Sequence, residues 1–187
     1  VQLLAKFQQR YGVELRCHLV SESAGANLPE PELLSKLSCY DANQIAPYYE
    51  LESPDADSVV APELITQASS ILASLSNEDF IQHATAVNSA MWHGDDQALN
   101  SYVEQLGTGN AEQTQAALLA GNDRRAELKH YSGAMFFYGE EWYWGVDRLH
   151  HLEQRLSELG LDATLDLPLL APRKHVSAGP LIDSGQL

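Results

Sequence analysis

The spacing of apolar residues changes several times along the chain, and each change marks an element. Leu3, Leu4, Phe7 and Tyr11 share one side of a helical projection, with Gln2, Lys6, Gln9 and Arg10 elsewhere. This predicts an amphipathic helix over residues 1–11, stopped by Gly12. Residues 13–19 then alternate strictly, which predicts a strand with Val13, Leu15, Cys17 and Leu19 facing inward. Gly25, Pro29 and Pro31 mark residues 21–31 as a loop. Helices are predicted over 33–45, ended by Pro47, and over 63–75. The acidic stretch 50–62, with Pro54 and Pro62, is a loop between them. Ser76 with Asp79 signals the N-cap of a further helix whose core face is Phe80, Ala84, Val87 and Met91. Residues 92–96 form a turn, 97–106 a helix, and Gly107 its stop. Asn110 with Gln113 signals a capping box for a short helix ending at Gly121, and 124–131 is helical again.

Towards the end the period shortens and then lengthens. Residues 134–138 and Trp142-Tyr143-Trp144 are apolar runs on either side of Gly139-Glu140, which predicts a tight β-hairpin. Leu149, Leu152, Leu156 and Leu159 mark one stripe of a last helix, and Gly160 stops it. The tail over 161–187, with Pro168, Pro172 and Pro180, reads as an extended arm or a disordered one.

The net charge of −15 narrows the range of partners. Between residues 26 and 123 the only base is Lys36, while the two ends are nearly neutral. Nucleic acid is disfavoured, because phosphate binding needs a basic face. No run of about 18 apolar residues exists, so no membrane span is expected. Val1 opens an amphipathic stretch rather than a signal peptide. Cys17 and Cys39 are too far apart for a Cys-x-x-Cys motif and read as buried free thiols of a cytoplasmic protein. The histidines show no metal spacing: His83 and His93 are isolated, and His150 and His151 are helix neighbours that point apart.

The hairpin, the run Trp144-Gly145-Val146-Asp147-Arg148-Leu149 and the leucine-rich helix together resemble the end of a DsbA-like thioredoxin-fold domain. The nearest resemblance is to kappa-class glutathione transferase and 2-hydroxychromene-2-carboxylate isomerase. It covers nearly the whole chain to about Gly160. It implies an α/β, thioredoxin-like mixed sheet, built from residues 1–25 and 132–160, with a large all-helical insertion over 26–131. It also implies a first strand and a reactive Ser or Cys ahead of the first helix, so the catalytic nucleophile is expected upstream of Val1.

The same resemblance implies glutathione as cofactor and a small hydrophobic or aromatic substrate, bound between the two parts, and it allows a homodimer. A transferase or isomerase is the leading expectation. A thiol-disulfide oxidoreductase and a non-catalytic binding protein are the alternatives. Asp147 matches the family aspartate that holds the γ-glutamyl end of glutathione; the other reading is that it only caps the last helix. Val146 stands where the family often has Ser. Asn27, in Gly25-Ala26-Asn27-Leu28-Pro29, matches a loop lining the family's site, and reads equally as a turn asparagine. Lys36 lies one position out of register with a family lysine. Ala134 and Met135 occupy the family's cis-proline loop, here Ser132-Gly133-Ala134-Met135 without proline. A cis bond there would cost about 2.5–4 kcal/mol, so a trans loop is expected. The terminal aromatics read more readily as core than as a binding platform.

Overall fold

The computed structural model describes residues 1–21, 30–53, 60–164 and 166–173. Among them run α1 (Leu4–Arg10), α2 (Pro31–Ile45), a 3₁₀ turn (Ala46–Tyr49), α3 (Pro62–Ser74), α4 (Asn77–Trp92), α5 (Asp96–Leu106), α6 (Ala111–Glu127), β1 (Met135–Tyr138), β2 (Glu141–Trp144) and α7 (Leu149–Glu158). Over the described residues the chain is α/β and mostly helical, with one small antiparallel sheet of two strands. No helix among the described residues is long and apolar enough to cross a membrane.

The helix starts follow the local chemistry. Pro31 and Pro62 sit in first turns, where no amide donor is needed. Ser76 accepts from the Asp79 N–H at 3.2 Å, and Asp95 from the Ala98 N–H at 2.9 Å. Asn110 and Gln113 form the reciprocal capping box, at 2.8 and 2.9 Å. The expected stop at Gly121 is corrected: α6 runs unbroken through it. A Cβ at Gly121 would overlap the Leu19 carbonyl oxygen, so the glycine is there for a close backbone approach.

The hairpin pairs Met135 with Trp144, Phe136 with Tyr143, Phe137 with Trp142 and Tyr138 with Glu141. Gly139 and Glu140 both have positive φ, 54° and 68°, the backbone of a tight turn whose twist matches the strands.

The strand predicted over 13–19 is the main correction. These residues are extended, with Val13, Leu15, Cys17 and Leu19 half-buried and Glu14, Arg16 and His18 exposed. Yet they join no sheet, and the only paired strands among the described residues are β1 and β2. A side chain takes the place of a neighbouring strand. Asn77 Nδ2 donates to the Leu15 carbonyl at 2.7 Å, and the Cys17 N–H donates to Asn77 Oδ1 at 2.8 Å. The mixed sheet that the resemblance implies is therefore not formed among these residues.

Two cores result. Leu3, Phe7, Tyr11, Tyr143, Leu149, Leu152, Leu156 and Ala171 join α1, the hairpin, α7 and the C-terminal arm. Ala68, Ile71, Leu72, Ala84, Val87, Ala90 and Leu99 join α3, α4 and α5. Each fully buried leucine or isoleucine contributes about 1.5–3 kcal/mol. Val13 and Leu15 pack on the first core and Leu19 on the second, so the extended segment ties the two together.

The described residues of the arm after Gly160 are docked, not free, as far as Ala171. Tyr11 and Asp162 form an antiparallel bridge. Arg10 donates to both Asp162 oxygens, at 2.8 to 3.2 Å, and to the Leu167 and Pro168 carbonyls. Glu153, with no exposed surface, accepts from the Tyr11 hydroxyl at 2.8 Å and from the Leu170 and Ala171 N–H groups at 2.7 and 2.8 Å.

Candidate active-site crevice

Where the hairpin core meets α4, the surface folds in to a crevice of about 280 Å³. Its first wall comes from the start of α1 (Leu3), the start of the hairpin (Ala134, Phe136) and the turn leading into α7 (Gly145, Val146, Leu149). The opposite wall is α4, through Thr85, Asn88, Ser89, Trp92 and His93. Residues 51–53 form an end wall. The volume is at the lower end for small-molecule sites, which suits a small ligand.

Two of the predicted site residues meet here. Ala134 lines the crevice, with a left-handed backbone at φ 52° that lifts it out of the line of β1. Val146 lines it too, in the turn held by the Leu149 N–H donating to the Val146 carbonyl at 3.3 Å. Met135 does not: it is paired with Trp144 in the hairpin. Among the described residues there is no cis peptide bond, so the loop 132–135 is trans. Asn27 lies outside the described residues.

Asp147 follows Val146 in that turn and does not itself line the crevice. Arg148, not Asp147, is the N-cap of α7, and it makes no side-chain cap hydrogen bond. The Asp147 side chain is 51% exposed, 3.7 Å from the Arg148 guanidinium, which is 66% exposed. Its Oδ1 folds back over Gly145, 2.7 Å from where a Cβ would sit there. Its charge reaches Tyr49, whose hydroxyl is held above the usual range first by burial and then by this carboxylate. The capping reading of Asp147 is thereby removed, and an accessible carboxylate remains.

The polar wall was not legible as a site. Ser89 Oγ donates to Glu52 Oε2 at 2.9 Å, and His93 Nδ1 lies 2.8 Å from the Ser89 carbonyl. Thr85, Asn88, Ser89 and His93 do follow i, i+3/i+4 spacing beside the apolar face of α4. That spacing marks a common side but not what the side meets.

Cys17 and Cys39 are free and half-buried. Burial pushes the Cys17 thiol up, away from a reactive thiolate. Cys39 lies on α2 and does not line the crevice. A second depression, of about 720 Å³, lies between β2 and α7, but it is wide and shallow and its Arg155 is already paired with Glu141 at 2.6 Å. No family model matches the sequence, and no curated protein or solved structure matches the chain.

Proposed function

We propose that this chain is a glutathione-dependent transferase or isomerase acting on a small hydrophobic or aromatic substrate. In this reading the thioredoxin-like half comprises α1, the extended segment, the hairpin and α7, and α3 to α6 belong to the helical insertion. The observation that carries it is the position of the run 144–149. Its Gly145, Val146 and Leu149 border a crevice between the two cores, and its Asp147, next to Val146 in the chain, stays exposed without capping α7.

The residues present suit the γ-glutamyl end of glutathione. That end carries an ammonium and a carboxylate, and the adjacent Asp147 and Arg148 offer opposite charges, both exposed and only loosely paired. Such a surface pair is worth about 0–1 kcal/mol, so little is lost in exchanging it for a ligand. When bound, glutathione supplies a thiol. The chain's own part is to hold the γ-glutamyl end at Asp147 and to shelter the substrate against Phe136, Val146 and Leu149.

Calorimetric titration with glutathione tests this. Binding is expected, weakened about tenfold in Asp147→Ala. No binding, or binding indifferent to that substitution, would overturn it. A non-catalytic binding protein is the second reading, favoured by the loop Ser132-Gly133-Ala134-Met135, which lacks the family proline. Turnover of a generic electrophile with glutathione, lost in Asp147→Ala, separates the two.

A further inference from the structure

The two long walls of the crevice differ in chemistry, and the difference specifies the occupant. Leu3, Phe136, Val146 and Leu149 make one wall apolar. The other ends in His93, the C-cap of α4. Its backbone N–H and its ring Nδ1 both lie within hydrogen-bonding distance of the Ser89 carbonyl, at 3.0 and 2.8 Å. A carbonyl can only accept, so in the neutral ring Nδ1 carries the proton and Nε2 the lone pair. Nε2 has no hydrogen bond among the described residues, and the ring is exposed in the crevice.

Glu52 adds a second acceptor. Its carboxylate takes the Ser89 hydroxyl, and its backbone is clamped to Gln2, just ahead of α1: Gln2 Nε2 donates to the Glu52 carbonyl at 2.8 Å, and the Glu52 N–H donates to Gln2 Oε1 at 2.9 Å. Among the described residues no Lys or Arg lines the crevice. An anionic ligand would meet the Glu52 charge with no Lys or Arg side chain of the described lining to offset it. A neutral ligand with a hydroxyl to donate meets acceptors instead.

We propose that the crevice binds a small aromatic alcohol or enol, its flat apolar body against Phe136, Val146 and Leu149 and its hydroxyl donating to His93 Nε2. This names the second substrate of the transferase or isomerase reading and rests on that reading for the reaction, though not for the binding. His93 is then the specificity-determining residue, choosing a hydroxyl over an ether or a carboxylate.

Isothermal titration calorimetry on the full chain near pH 8, without glutathione, tests this with 1-naphthol, 1-methoxynaphthalene and 1-naphthoate. The naphthol is expected to bind about tenfold tighter than its methyl ether, the factor one well-made hydrogen bond supplies. The naphthoate is expected to bind more weakly than either. His93→Phe keeps the ring's bulk and should abolish the preference for the naphthol, while His93→Gln, which keeps an acceptor, should retain part of it. Equal affinities, a preference that survives His93→Phe, or tightest binding of the naphthoate would each overturn the assignment. A naphthol preference in a chain that ignores glutathione refutes the transferase reading alone. Glutathione binding without that preference refutes this assignment alone.

Discussion

Glu153→Gln isolates the anchor of the C-terminal arm. The carboxylate has no exposed surface and three donors converge on it: Oε1 takes the Tyr11 hydroxyl and the Leu170 N–H, and Oε2 takes the Ala171 N–H. A glutamine of nearly the same shape can keep its oxygen at the Oε1 position. Its NH₂ then faces the Ala171 N–H, donor against donor. One charge-assisted hydrogen bond is lost and a buried amide is left unpaired, a combination worth about 1–3 kcal/mol. For a domain of this size that is about 2–4 °C in Tm per kcal/mol. Glu153→Leu leaves all three donors unpaired and should cost about 3–5 kcal/mol, the scale of breaking a buried charged network. Tyr11→Phe removes one bond and leaves the carboxylate two. In the Gln background its effect should shrink by about 1 kcal/mol, because the bond it deletes is no longer to a charge. Urea unfolding followed by circular dichroism gives all of these, with the coupling read from the double-mutant cycle. A loss below about 0.5 kcal/mol in Glu153→Gln, or full additivity with Tyr11→Phe, would mean that residues 170–171 are not held by this side chain.

The Arg10 guanidinium, helped by the Thr164 N–H and the Ser157 hydroxyl, holds the Asp162 carboxyl well below the usual carboxylate range. A depressed folded-state pKa gives stability that is present above about pH 4 and is lost as pH falls towards the folded value. Acid unfolding of the protein should therefore steepen below about pH 4, and Asp162→Asn should be less stable at pH 7 with a shallower fall on acidification, measured by urea midpoints across pH. Gly121→Ala should destabilise by about 2 kcal/mol or more, although alanine improves helix propensity by about 1 kcal/mol, because the new methyl overlaps the Leu19 carbonyl. A stabilised Gly121→Ala, read from its thermal midpoint, would show that the extended segment does not cross α6 there.

What could be read from the sequence was local chemistry. Ser76 with Asp79, and Asn110 with Gln113, announce helix starts because cap and partner are three residues apart and need nothing else. Gly139-Glu140 announces the hairpin for the same reason. Gly121 is misread as a stop because its reason is Leu19, about a hundred residues away in sequence. The crevice was half legible. Ala134 and Val146 sit beside motifs with a local pattern, while Glu52, Ser89 and His93 become a wall only once residues 51–53 and α4 face each other. Asp147 was legible as a candidate, but only its geometry decides between cap and free carboxylate.

Residues 13–19 mark where periodicity stops being informative. Alternation of side chains records that one face of an extended chain is buried, and that much is present: Val13 and Leu15 pack on one core and Leu19 on the other. Sheet membership is a separate matter, decided by where the backbone groups find partners. On the side carrying the Leu15 carbonyl and the Cys17 N–H, a single asparagine amide supplies both donor and acceptor, as one residue of a neighbouring strand would. On the other side the backbone groups of Glu14, Arg16 and His18 make no hydrogen bond among the described residues. Those residues are exposed, so water can serve them. The same side-chain pattern is thus compatible with an edge satisfied by a side chain, by solvent or by a further strand, and only the hydrogen bonds tell these apart.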